Sequence, residues 1–260
     1  VECLAGSDIA ATTTQVVVTG VTHPSVSASY RMDIKLFDSS TTTLEQVQVM
    51  VYIIDDVVMT ATVDASLTFT VNGTSTGQLV NNIPCSNTSQ ATTAPFGILV
   101  VDATSTVCQD LTVETNADDG YTVTVWQDNE MTSDSGSNIN SFDNQNTGWG
   151  TTVAKPWESP DNTLDATSTY GHMGLTSNDI NLASSTGYNN FANFDAEYDN
   201  VNFAGLNNTD PMPVMHHPGP SDGKAQHIGY ASVLYQVEVA SLQEAGDYES
   251  TLTYICTPTY

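Results

Sequence analysis

Basic residues are nearly missing from this chain. Its 260 residues include four, Arg31, Lys35, Lys155 and Lys224, against thirty Asp and Glu, for a formal net charge of -26. Binding to nucleic-acid phosphates needs clustered Lys and Arg, so a nucleic-acid partner is excluded. Electrostatic docking on anionic lipid is excluded for the same reason. No apolar run approaches the ~18–20 residues of a membrane-crossing helix, so the chain is not expected to span a membrane. Zinc spacing is missing too. Cys3, Cys85, Cys108 and Cys256 form no CxxC pair and have no His at ligand spacing beside them. Neither a GxSxG elbow nor an SxxK motif occurs. The five histidines therefore read as polar loop residues, and the chain is not expected to be an enzyme.

The acid excess attracts divalent cations and keeps copies apart. Asp118, Asp119, Asp128 and Asp134 form one cluster in the sequence, and Asp195 and Asp199 belong to another. Hard oxygen ligands at this density make these residues candidate calcium ligands. Neither cluster follows the DxDxDG loop pattern, and a solvated acidic face is the competing reading. No other cofactor is expected. Met212-Pro-Val-Met215-His216-His217 has soft-metal character, but it reads better as packing in a turn-rich stretch.

An even number of spaced cysteines in a Thr/Ser/Asn-rich chain suits an oxidising compartment. Cys85 and Cys108 flank one predicted strand and its loops, so they are expected to pair. That leaves Cys3 with Cys256, within a subunit or between neighbours. The chain starts Val1-Glu2-Cys3, without Met, which reads as export to the cell surface with removal of a signal peptide. The sequons at Asn72, Asn87 and Asn207 are candidate glycosylation sites on surface loops.

Thr, Val, Ser, Asn and Tyr dominate, favouring strands and turns. Tyr30, Met32, Ile34 and Leu36 alternate with charged residues, the period of a half-buried strand. Leu44 to Val58 reads as two strands joined at Asp55-Asp56. Val58–Val63, Leu67–Val71 and Phe96–Val101 read as further strands. Asp110–Thr115 and Tyr121–Gln127, joined by Asn116-Ala-Asp-Asp-Gly120, read as a hairpin. Ile228–Val239 and Tyr248–Thr257 read as a second, terminal hairpin. Between Asp128 and Gly223 the texture changes to Asn, Ser, Asp, Gly and Pro around isolated aromatics. That segment is too long for a plain loop. The expected organisation is an N-terminal extension over 1–24, a β-sandwich core over 25–127 and 224–260, and an insertion over 128–223 with a small aromatic core of its own.

Several runs carry a family resemblance: TATVDASLTFTV (60–71), APFGILV (94–100), QDLTVETNADDGYTVTVWQD (109–128), GPSDG (219–223), YQVEV (235–239) and AGDYESTLTYICTPTY (245–260). Together they resemble secreted surface proteins of ultra-small candidate-phylum bacteria. The terminal run is also similar to the closing element of TasA/camelysin-type matrix proteins. The resemblance implies an all-β, jelly-roll-like antiparallel sandwich exported to the cell surface. It also implies a subunit that polymerises with itself into a pilus-like filament by giving an N-terminal strand to its neighbour. Residues 10–20, with Gln15, Val16, Val17 and Val18 as hydrogen-bonding and apolar anchors, are the candidate donor strand. An adhesin or glycan-binding module using Trp149 and Trp157 of the insertion is the alternative.

Overall fold

Strict alternation makes the first element. β1 (Ala28–Phe37) pairs antiparallel with β2 (Thr43–Ile53), setting Tyr30 opposite Val51, Met32 opposite Val49 and Ile34 opposite Val47. Asp38 shapes the turn, its Oδ1 accepting the Ser40 and Thr42 N–H at 2.8 Å each. The computed structural model describes residues 17, 19–20, 22, 24–38, 40–54, 57–142, 154–184 and 201–260. It divides the chain into Val1–Val63 and Asp64–Tyr260, so the β1–β2 ribbon belongs to a unit of its own and not to the sandwich core that was expected to begin at residue 25. β2 ends at Ile53, and residues 57–66 form no strand. Val58, Met59 and Val63 are exposed; a β-branched run without a partner does not become a strand.

The second unit is almost wholly β. Its strands are β3 (Leu67–Gly73), β4 (Leu79–Val80), β5 (Ile83–Pro84), β6 (Thr104–Thr115), β7 (Tyr121–Gln127), β8 (Met131–Ser133), β9 (Asn138–Ser141), β10 (Lys155–Pro156), β11 (Gly171–Ser177), β12 (Asn202–Phe203), β13 (Met212–His217), β14 (Ser221–Asp222), β15 (Tyr230–Val239), β16 (Tyr248–Glu249) and β17 (Leu252–Pro258). A one-turn helix, α1 (Asn181–Ser184), follows β11. The large sheet has the order β14-β6-β15-β11-β9-β8-β16, with β3 on the other flank of β6. A three-stranded sheet, β13-β7-β17, faces it. Pairing is antiparallel except between β9 and β11. The fold is the expected all-β sandwich.

Neither predicted hairpin forms. β6 lies in the large sheet and β7 in the small one; β15 and β17 are split the same way. Each connection arches across the core, over the ~10 Å between packed sheets. The inward residues then meet across the gap: Val107, Leu111 and Val113 of β6, Val123 and Val125 of β7, and Val233, Tyr235 and Val237 of β15 are all buried in one core. Met212 and Met215 are buried there too, so the Met/His stretch serves packing as strand β13. Phe96–Val101 forms no strand. Phe96 and Leu99 pack on the core from an irregular segment.

The segment 128–223 does contain an aromatic cluster, but it is woven into the sandwich. β8, β9 and β11 join the large sheet and β13 the small one. Trp157 stacks on Phe142 at 4.7 Å and meets Phe203 edge-on at 5.1 Å. With Leu234 and the Cys85–Cys108 bond they form a second buried cluster. On β15, Leu234 alternates with the core residues Val233 and Tyr235, so this cluster covers the outer face of that strand. Burial on both faces explains why β15 is buried almost throughout.

Candidate functional site

The β1–β2 ribbon has two unlike faces. With a side-chain period of two, Tyr30, Met32, Ile34 and Leu36 share one face with Val47, Val49 and Val51, and Glu45, opposite Leu36, stands at its turn end. Arg31, Asp33 and Lys35 share the other with Gln46 and Gln48. Arg31 pairs with Asp33 at 3.2 Å, and Gln48 Nε2 donates to Asp33 Oδ1 at 2.9 Å. Among the described residues nothing covers the apolar face: Met32 is 47% exposed, Ile34 52% and Val47 53%. A two-stranded ribbon is marginal alone in water, and a contiguous exposed apolar patch marks an interaction surface. Residues 28–53 carry two cations against three acids (Asp33, Asp38 and Glu45), so the ribbon is close to neutral in a strongly acidic chain.

The sandwich unit has an unusual side of its own. β3 pairs with β6 and β17 with β7, and among the described residues neither has a second neighbour. The two edges border one seam. Phe69 and Tyr254 meet edge to face at 6.3 Å, and Tyr260 Oη donates to Ser66 O at 3.2 Å. Phe69, Val71, Leu252 and Tyr254 point at the core yet remain half-open. Next to Tyr254 on β17, Ile255 is 45% exposed, and Leu67 on β3 is 39% exposed. Residues 65–101 and 250–260 contain no Asp, Glu, Lys, Arg or His. A charge-free, partly apolar sheet edge resembles the desolvated centre of a protein interface.

A third feature is buried. Asp179, 1% exposed, follows β11. Its Oδ2 accepts the His216 N–H at 2.7 Å and its Oδ1 the Asn181 N–H at 3.1 Å. His227 Nδ1 lies 3.9 Å from Oδ1, and Asn181 Nδ2 donates to the His227 carbonyl. Burial raises the Asp179 carboxyl to about 6, against two backbone donors that pull it down. Burial also lowers the His227 pKa. With both oxygens accepting backbone N–H groups, Asp179 fastens β13 and α1 to the end of β11. Nothing in the sequence singled it out, because one carboxylate among thirty carries no pattern.

The chain matches no protein-family model and no curated protein.

The predicted residues are distributed as follows. Cys85 and Cys108 are bonded and fully buried, with Cα atoms 5.8 Å apart. Cys256 is a free thiol on β17 opposite Val123, and burial pushes it up to about 11. Cys3, its expected partner, lies outside the described residues. Of the donor-strand residues Val17 is exposed; Gln15, Val16 and Val18 lie outside the described residues.

Asp119 precedes β7 and Asp128 follows it. A seven-residue strand separates them by about 20 Å, so Asp118 and Asp119 cannot share an ion with Asp128. Asp128 instead caps a turn, its Oδ1 accepting the Asn129 and Thr251 N–H at 2.8 and 2.9 Å. Asp134 is exposed in the β8–β9 turn. Asp195 and Asp199 lie outside the described residues. Among the described residues no three His, Cys, Asp or Glu converge as metal ligands.

Asn72 sits on β3. Asn87 Nδ2 is engaged by Ser105 Oγ at 2.9 Å and Thr106 O at 3.1 Å, and Asn207 Oδ1 accepts the Thr209 N–H at 2.9 Å. Trp157 is spent on packing, and its indole donates to Glu238 at 2.7 Å. Trp149 lies outside the described residues. A polar cleft of about 190 Å³, lined by Asn138, Asn140, Tyr170 and Gln243 among others, is smaller than the ~300 Å³ at which small-molecule sites begin.

Proposed function

We propose that the protein is a structural subunit that assembles with copies of itself into an extracellular surface filament, engaging its neighbour through the N-terminal unit. The observation that carries this reading is the uncovered apolar face of the β1–β2 ribbon. The buried disulfide suits an oxidising compartment, compatible with a location outside the cell. Residues 10–20 are proposed as a donated strand, and the free edges of β3 and β17 are the kind of surface that accepts one.

A test is electron microscopy and sedimentation of the full chain across salt concentrations, beside a chain lacking residues 1–20. Regular fibres from the full chain support the assembly. Fibres that persist without residues 1–20 remove the donated strand from it. Dispersed monomers of the full chain at every salt concentration overturn the reading. The glycan-binding alternative draws no support from Trp157, whose ring is enclosed by Phe142, His172 and Phe203.

A further inference from the structure

Two copies of a chain with a net charge of -26 repel over most of their surfaces, and the repulsion reaches about 10 Å at ordinary ionic strength. Close approach is least costly where carboxylates are few or balanced by cations. Among the described residues, two such surfaces are also apolar and have no further strand paired to them. One is the near-neutral ribbon, with its exposed Met32, Ile34, Val47 and Val49. The other is the seam between β3 and β17, built from the charge-free stretches 65–101 and 250–260.

From this we infer that the apolar face of the β1–β2 ribbon of one copy docks on the β3–β17 edge of a second copy. The inference rests on the self-assembly reading and names both halves of its contact.

The two surfaces supply what each other lacks. The ribbon is a preformed pair of strands of ten and eleven residues, so docking orders little further chain and the entropic cost is small. Its apolar face covers side chains such as Phe69 and Tyr254 that the seam leaves half-open. The free strands β3 and β17 offer backbone donors and acceptors that an added strand satisfies. Arg31 and Lys35 lie on the opposite face, so they remain in water and offset the acidic surroundings of the neighbour. The two surfaces differ, so the contact is heterologous, and every copy carries one of each. Repetition builds an open chain unless the geometry closes a ring.

The test uses the full chain with charges placed in either surface at exposed positions. One variant carries Ile34→Asp and Val47→Asp, the other Leu67→Asp and Ile255→Asp. Each is followed by sedimentation velocity under the salt conditions where the unaltered chain assembles, with circular dichroism reporting that the fold is kept. The expected result is that each variant alone is monomeric, while an equimolar mixture gives dimers that grow no further. Such dimers form because one partner keeps an intact ribbon and the other an intact edge.

Folded variants that stay monomeric on mixing overturn the inference, since like surfaces would then be meeting. Variants that assemble as the unaltered chain does also overturn it, while the filament reading stands and residues 10–20 become the contact. An unaltered chain that never assembles sinks both. Should either variant misfold, a benzophenone amino acid in place of Ile34 decides the matter in the otherwise unaltered chain. Crosslinks to peptides from 65–101 or 250–260 of another copy are expected, and crosslinks confined to ribbon peptides contradict the pairing.

Discussion

Tyr254 on β17 reaches through the sandwich to Tyr235 on β15, hydroxyl to hydroxyl at 2.5 Å, and donates to Gln109 Oε1 at 3.2 Å. Burial of the two hydroxyls raises their pKa values above the ordinary tyrosine range. The two sheets are thus tied by a neutral hydrogen-bonded pair at the edge where β17 has no second neighbour.

Tyr254→Phe keeps the ring against Phe69 and deletes the hydroxyl. The Tyr235 hydroxyl and the Gln109 amide oxygen each lose a partner. A loss of about 1–3 kcal/mol in unfolding free energy is expected, read from urea denaturation with an unchanged m-value.

The Cys85–Cys108 bond closes a loop with a sequence separation of 23. Replacing both residues by Ala is expected to cost about 3 kcal/mol on a chain-entropy account. The bond is fully buried, so the native protein resists dithiothreitol until denaturant is added. Comparing thiol release with and without urea checks this; rapid release from native protein contradicts the burial.

Two glycines at positive φ make a matched pair. Gly120 (φ +76°) precedes β7, and a Cβ there would come within 1.8 Å of the His217 carbonyl oxygen. Gly77 (φ +91°) has nothing within 4 Å of the same atom. Gly77→Ala is expected to cost only the ~1–2 kcal/mol of the left-handed backbone. Gly120→Ala adds a backbone clash and is expected to cost at least about 3 kcal/mol. Equal losses in thermal unfolding would refute the stated contact.

Asp179 makes stability depend on pH in an unusual direction. Its carboxyl titrates near 6 in the fold against an ordinary 3.8. Between those values the folded protein holds a proton that the unfolded chain releases. The stabilisation from this group is therefore full below about pH 4 and gone above about pH 6, a change of about 3 kcal/mol. The groups facing it are His227 and Tyr121, together with the His216 and Asn181 backbone N–H groups. Asp179→Asn removes this dependence. Subtracting its pH–stability curve from that of the unaltered protein should leave a fall between pH 4 and 6. A flat difference rejects the shift.

Alternation in the sequence located strands well. The stretches around Tyr30–Leu36, Leu67–Val71, Asp110–Thr115, Tyr121–Gln127 and Tyr235–Val239 all lie in observed strands. It did not reveal which strands pair. A hairpin and an arch share the same inside–outside period, and a five-residue connection such as Asn116–Gly120 serves either. In this chain it carries β6 to β7 across the core, and the Thr259 N–H, just past β17, donates to the Gly120 carbonyl at 2.8 Å. The 85–108 disulfide was legible because the two cysteines flank a single stretch of chain. The Asp179 site was not, because it joins residues from 179, 216 and 227 that only folding brings together. Nor was the open face of the ribbon: the sequence displays an apolar stripe but not what covers it.

The buried disulfide also governs what a single cut in the chain can do. Cys85 and Cys108 bracket the irregular segment that holds the exposed Ile98 and Val100, a stretch open to a protease. Cleavage there leaves both fragments joined by the bond and by their places in the sheet. A nicked molecule would migrate as one species until it is reduced, so damage at this segment would accumulate without dismantling the subunit.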